Sequence, residues 1–130
     1  MDNVVARLMR YAKVWSESDY HANRGTTPST DRQFDMARLL VEELHGMGVD
    51  NAFVDDTCYV YASLPATPGC EHLPVIGLIA HMDTTPDMTG KDVKPQILHY
   101  DGGDLMLNPE QNIVMRGSDF PELKKFIGQD

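Results

Sequence analysis

The chain is poor in cysteine and has no long hydrophobic run. Its 130 residues include two cysteines, Cys58 and Cys70, which form neither a Cys-x-x-Cys pair nor a zinc-knuckle spacing. We therefore expect two reduced thiols in a cytoplasmic protein. The longest apolar run, residues 75–80, is far shorter than the roughly 20 residues of a membrane-spanning helix. The first residues include Asp2 and no apolar segment, so no signal peptide is expected.

Positive charge is also scarce. The sequence has 11 lysine and arginine residues against 20 aspartate and glutamate residues, which gives a net charge of -9 at pH 7. This balance argues against nucleic acid or an anionic membrane as a partner. The hydrophobic fraction of 42% and the charged fraction of 24% are typical of a soluble globular protein. At this length we expect one domain that buries roughly two-thirds of its unfolded surface.

Hydrophobic periodicity predicts helices in the first third of the chain. Val5, Leu8 and Trp15 belong to an apolar stripe that predicts an amphipathic helix over residues 3–15. Thr30 and Gln33 fit a capping box, and the second predicted helix that follows ends at the glycines of positions 46 or 48. Pro121 can open a last short helix.

Strand patterns occupy the middle of the chain. Residues 50–55 and 58–64 are strand candidates, and residues 96–100, 104–107 and 112–115 predict a small hairpin-like excursion. Residues 75–80 are continuously apolar, which is typical of a strand covered on both faces. The pattern predicts an α/β fold, a partial doubly wound sheet with flanking helices. An exposed edge of such a partial sheet would favour self-association.

The apolar run leads directly into His81, and Asp83 follows two positions later. Side chains two apart on a strand point the same way, so the two should emerge together at the strand end, where ligands gather in α/β sheets. An imidazole suits zinc, and a nearby carboxylate can orient it. Alone the pattern is weak: a histidine bonded at a strand end and an aspartate that begins a turn are equally ordinary.

The longer stretch is more specific. Residues 81–97 closely resemble the peptidase T family, the aminotripeptidases of the co-catalytic zinc exopeptidases. Four further segments are similar to that family at corresponding places: Pro28-Ser29-Thr30, Leu64-Pro65-Ala66, Tyr100-Asp101-Gly102-Gly103-Asp104 and Phe120-Pro121-Glu122-Leu123.

The resemblance implies a role for each motif residue. His81 would bind one ion of a two-zinc site, and Asp83 would be the supporting catalytic aspartate. Residues 1–130 would be the N-terminal part of a catalytic domain that acts on tripeptides, with the remaining ligands and the general base beyond Asp130. We therefore expect weak or absent zinc binding and no activity in this chain alone. A related zinc amidohydrolase or dipeptidase, or a free-standing binding or assembly protein, remains an alternative.

The other polar clusters carry weaker signals. Glu42-Glu43 is predicted to lie on a solvated helix face, and Asp55-Asp56 at a turn between strands. Asp101-Gly102-Gly103-Asp104 predicts a tight turn, although its aspartates could line a cleft. The remaining histidines lack zinc-site spacing and are interpreted as structural or surface residues: His21, His45, His72 and His99.

Overall fold

The computed structural model describes residues 4–22 and 25–130. The chain divides into two compact units, Met1–Pro95 and Gln96–Asp130. Within the described residues, the fold is a small α/β arrangement with two two-stranded antiparallel sheets. No helix in that part of the chain is long and apolar enough to cross a membrane.

Two helices build the first unit. Helix α1 spans Val4–Tyr11 and helix α2 spans Gln33–Gly46. Both were predicted, but α1 ends earlier than residue 15, and its predicted first residue, position 3, lies outside the described residues. Met36 and Ala37 on α2 are buried and form part of the small core. Helix α2 ends at Gly46, one of the two glycines predicted to end it, and Gly48 follows in the left-handed region at φ 84°.

The predicted capping box of α2 is wrong. The Thr30 hydroxyl donates to the Glu17 carbonyl (2.8 Å), and the Gln33 amide donates to the Ser29 hydroxyl (2.9 Å). Arg32 occupies the N-cap position without a side-chain cap hydrogen bond. Thr30 therefore ties the start of α2 to the segment around Glu17, a tertiary contact that outcompetes the local cap.

A short hairpin packs against α2. Strands β1 (Phe53–Val54) and β2 (Val60–Tyr61) pair antiparallel, with Phe53 opposite Tyr61 and their rings stacked at a centroid distance of 5.3 Å. Both strands lie inside the predicted ranges but are shorter. The Asp55 carboxylate closes the turn by accepting the Tyr59 backbone N–H at 2.9 Å. Cys58 lies in this turn and is buried.

The predicted strand over residues 75–80 is wrong in this structure. These residues have no regular secondary structure, and Val75, Ile76, Leu78 and Ile79 are 85–100% exposed. An apolar run records a preference for burial, but a strand also needs neighbours that accept its backbone hydrogen bonds. Among the described residues each sheet has only two strands, and neither sheet includes this segment. The doubly wound sheet is therefore not confirmed.

The second unit contains the predicted hairpin. Strands β3 (Leu105–Asn108) and β4 (Ile113–Met115) pair antiparallel with an irregularity between Met106 and Asn108. A 3-10 helix over Pro121–Phe126 follows, as the proline predicted. The backbone then returns, and Tyr100 and Gln129 form an antiparallel bridge. The hairpin of residues 104–107 and 112–115 and the short final helix are confirmed, whereas residues 96–100 form no strand and contribute only the bridge at Tyr100.

The two cysteines should differ in reactivity. Burial raises the pKa of the Cys58 thiol, whereas Cys70 is only half-buried. A raised pKa leaves less thiolate, the nucleophilic form, and burial also blocks reagents. We expect labelling by a thiol reagent at neutral pH to be biphasic, with Cys70 reacting first. Cys70→Ser should leave only the slow phase, and equal rates in the folded protein would contradict this expectation.

Candidate functional site

His81 and Asp83 are in direct contact. The His81 Nδ1 atom lies 2.9 Å from the Asp83 carbonyl oxygen and 3.2 Å from its carboxylate Oδ1. Both oxygens can only accept, so Nδ1 carries the proton and the neutral ring keeps its lone pair on Nε2. The His81 side chain is 86% exposed. The geometry therefore presents Nε2 outward, in the tautomer that metal-binding histidines adopt.

This pair does not make a complete metal site. Across residues 4–22 and 25–130, the structure brings together no group of three or more histidine, cysteine, aspartate or glutamate side chains that could hold a metal ion. A zinc site uses three or four protein ligands. His81 can supply one ligand nitrogen, and its partner Asp83 is engaged with the same ring, so the described residues do not fit a bound zinc.

The loop that follows the pair, residues 84–90, is held against residues 16–20. Glu17 and Thr84 form a parallel backbone bridge, in which the Ser18 N–H donates to the Thr84 carbonyl at 2.9 Å. From the segment 16–20, the Tyr20 hydroxyl donates to the Asp87 carboxylate of the loop at 3.1 Å. The Thr85 hydroxyl also donates to Asp87, and this bond is the main cause of the lowered pKa of the Asp87 carboxyl. The polar network fixes the backbone immediately after Asp83.

Sequence reasoning missed this network. Tyr20 and Asp87 are 67 positions apart, and Glu17 and Gly90 are 73 positions apart. No periodicity or short motif links residues at such separations. The nearest local signal is a tyrosine and a glutamate in a polar connector, which is ordinary on a protein surface.

The glutamate pair on α2 differs from its prediction. Glu42 is exposed as expected, but the side chain of Glu43 is only 11% exposed. Its carboxylate accepts hydrogen bonds from Arg10 and from the Tyr11 hydroxyl, and the Arg7 Nε lies 2.8 Å away. The prediction of a solvated face is therefore wrong for Glu43, because the Arg7, Arg10 and Tyr11 side chains of α1 contact its carboxylate. Glu43 is a structural ion-pair centre.

The Asp101-Gly102-Gly103-Asp104 segment is a tight turn. Gly102 and Gly103 have φ values of 105° and 84°, in the region that favours glycine. The Asp104 carboxylate accepts the Gly117 backbone N–H at 2.9 Å. An open cavity of about 460 Å³ adjoins the turn and is lined by Tyr100, Gly103, Asp104, Gly117, Ser118, Lys124 and Ile127. The turn interpretation is confirmed, and Asp104 also lines this cavity.

Two other histidines have defined contacts. His45 Nε2 donates to the Ala52 carbonyl at 2.9 Å and links α2 to the start of the β1–β2 hairpin. His99 Nδ1 lies 2.7 Å from the Asp130 carboxylate, and its Nε2 lies 3.6 Å from Asp101. Both histidines therefore contact oxygen acceptors elsewhere in the chain.

Comparison with known proteins identifies similar sequences over nearly the whole chain. It is 48% identical over 131 residues to peptidase T of Alkaliphilus oremlandii, which aligns 99% of this chain with 32% of that protein. It is 48% identical over 126 residues to peptidase T of Geobacillus kaustophilus, covering 96% of this chain and 30% of that protein. Peptidase T of Clostridium acetobutylicum is 44% identical over 130 residues, 99% of this chain and 31% of its own length.

These similarities confirm the predicted resemblance to peptidase T, a family of peptidases by name. The chain spans about a third of the length of the curated relatives it matches. No family model matches the chain.

Proposed function

We propose that residues 1–130 are the N-terminal part of the catalytic domain of a cytoplasmic, zinc-dependent aminotripeptidase, which releases the first residue of a tripeptide. The observation that carries the proposal is the 48% identity to peptidase T over 99% of the chain. The identity of these relatives as peptidases favours a peptidase over the alternatives of an amidohydrolase or an unrelated assembly protein.

Within this proposal His81 is a metal ligand, and Asp83 is the supporting catalytic residue. The support comes from the hydrogen-bond geometry. Asp83 accepts from Nδ1 through both its carbonyl and its carboxylate, which leaves Nε2 as the only nitrogen able to bind a metal. A carboxylate in this position orients the ring and increases its basicity. The other metal ligands and the general base would come from the part of the enzyme that this chain does not include.

A chimera tests the proposal directly. Residues 1–130 would replace the matched segment of Alkaliphilus oremlandii peptidase T, and hydrolysis of a tripeptide would be compared with that of a dipeptide and an acylated amino acid. We expect tripeptidase activity. Asp83→Asn should reduce kcat/KM by roughly 10- to 100-fold, and His81→Ala should reduce it further. His72→Ala, an exposed histidine outside the motif, is the matched control.

Two outcomes of this experiment would reject the proposal. A folded chimera without tripeptidase activity would contradict the proposal that the substrate is a tripeptide. Activity that survives His81→Ala but falls in His72→Ala would remove the assignment of the site.

The isolated chain is expected to be inactive. The described residues offer no set of three metal ligands, so zinc should bind weakly. Equilibrium dialysis should find far less than one zinc per chain, and zinc-supplemented chain should not hydrolyse tripeptides. Turnover proportional to chain concentration and lost in His81→Ala would contradict this expectation.

We further propose two alternative partners for residues 75–80. In the complete catalytic domain the segment would become a strand of a doubly wound sheet, covered by the remainder of the enzyme. In the isolated chain a second copy would take that place, since exposed strand-forming apolar segments pair with one another. The support is the 85–100% exposure of its four large side chains.

A further inference from the structure

The turn at Asp101 contains the only aspartate–glycine pair of the 130-residue sequence, and no asparagine precedes a glycine. The Asp101 side chain is 89% exposed. Its Oδ1 atom lies 3.6 Å from Nε2 of His99, which is beyond hydrogen-bond distance. Within the described residues this carboxyl accepts no hydrogen bond, so it can turn towards its own main chain.

The Gly102 main-chain nitrogen is the nucleophile that this carboxyl can reach. Other groups of the turn are hydrogen-bonded: the Tyr100 N–H donates to the Gln129 carbonyl at 2.9 Å, and the Tyr100 hydroxyl donates to the Gly103 carbonyl at 2.8 Å. The Gly102 N–H, in contrast, donates to no protein acceptor in the part of the chain that the structure describes. Glycine has no Cβ atom, so its own side chain does not shield this nitrogen from the Asp101 carboxyl.

We propose that Asp101 is a site of spontaneous covalent modification, at which aspartate is converted to isoaspartate. The Gly102 nitrogen attacks the Cγ atom of the protonated Asp101 carboxyl, and a C–N bond forms. The Cγ–O bond to the hydroxyl breaks, and the hydroxyl leaves with the amide proton as one water molecule. One water then adds to the resulting succinimide ring. Cleavage at Cγ restores aspartate, whereas cleavage at the former main-chain carbonyl leaves Gly102 joined through Cγ, which is isoaspartate.

The product lengthens the main chain inside a tight turn. In isoaspartate the backbone runs through Cβ and Cγ and is one carbon longer, and the former main-chain carboxyl becomes the side group. The Tyr100 hydroxyl reaches across this turn to the Gly103 carbonyl. Tyr100 is 7% exposed, and its backbone bonds to Gly128 and Gln129 hold the end of the second unit. Isomerisation at Asp101 should therefore loosen the attachment of residues 128 and 129.

The experiment ages the full 130-residue chain at neutral pH and physiological temperature and compares it with an unaged sample. Enzymatic methylation by an isoaspartyl methyltransferase quantifies isoaspartate, and electron-transfer fragmentation of the digested chain locates it. We expect most of the isoaspartate at position 101. Asp101→Glu keeps the carboxylate but does not readily form the five-membered ring, so it should remove most of the signal. Asp119→Glu is the matched control, because Asp119 is an exposed aspartate of the same unit that Phe120 follows, and it should leave the signal unchanged.

Hydrogen exchange tests the structural consequence. The isomerised fraction of the aged chain is separated by chromatography, and its Tyr100 and Gly128 amides should exchange faster than those of the unaged chain.

Three results would overturn the proposal. Isoaspartate spread evenly over the aspartates of the folded chain would reject Asp101 as a specific site. Isoaspartate that forms at position 101 in denaturant but not in the folded chain would show that the turn protects this residue. Unchanged exchange of both amides in the isomerised fraction would reject the loosening of the turn.

Discussion

Ile79→Lys is expected to abolish most of the reversible self-association of the isolated chain. Ile79 is fully exposed near the end of the apolar run, residues 75–80, which contains no charge to oppose pairing. Burying one such side chain contributes about 1.5–3 kcal/mol, and an interface between two copies would lose two of them. Since 1.4 kcal/mol corresponds to tenfold, the association constant should fall by at least about tenfold after allowance for ordering.

Sedimentation equilibrium over a concentration series measures this effect. Leu64→Lys is the matched control, because Leu64 is 78% exposed, lies outside the run and changes the net charge equally. The net charge of -9 opposes association, so added salt should strengthen it by screening. A chain that stays monomeric at every concentration, or a loss of association that is equal in the two variants, would contradict the proposed second-copy contact.

Local patterns predicted the elements whose contacts are local. The α2 stripe, the β3–β4 hairpin and the helix opened by Pro121 depend on residues a few positions apart, and all three are present. Residues 75–80 carry an equally clear strand pattern, yet they form no strand here. A helix satisfies its own backbone hydrogen bonds, whereas a strand depends on partners elsewhere in the protein. The sequence therefore indicates that residues 75–80 favour a strand, but the strand forms only where neighbouring strands accept and donate its backbone hydrogen bonds.

In the candidate site, too, the contact between residues close in sequence was predicted and the contact between distant residues was not. The relation between His81 and Asp83 was predicted from their spacing, and the two side chains are in contact even without the strand. The hydrogen bond from the Gly90 N–H to the Glu17 carboxylate was not predictable, because the two residues are 73 positions apart. The exposure of Glu43 was also mispredicted, because a helix face that is exposed to solvent and one that is covered by charged side chains of another helix have the same residue pattern. Only packing distinguishes them.

Glu43→Gln is expected to lower the free energy of unfolding by roughly 1–3 kcal/mol at neutral pH, the range for hydrogen bonds to charged groups. Surface ion pairs contribute less, but the Glu43 side chain is 11% exposed and joins Arg7, Arg10 and Tyr11 of α1 to α2. Glu42→Gln, which makes the same charge change at an exposed neighbour, should have little effect. Denaturant unfolding followed by circular dichroism measures both variants.

The pH dependence gives this prediction a second test. Hydrogen bonding by Arg10 is the main cause that lowers the pKa of the Glu43 carboxyl below its ordinary value of 4.5. A lowered pKa in the folded state means that the stabilisation is complete above the unfolded pKa and is lost as the pH falls through the folded pKa. The difference between the unmodified chain and Glu43→Gln should therefore be constant near neutral pH and shrink below about 4.5. A difference that stays constant into acid would show that Glu43 stabilises the helix pair by packing, and that its charge contributes nothing.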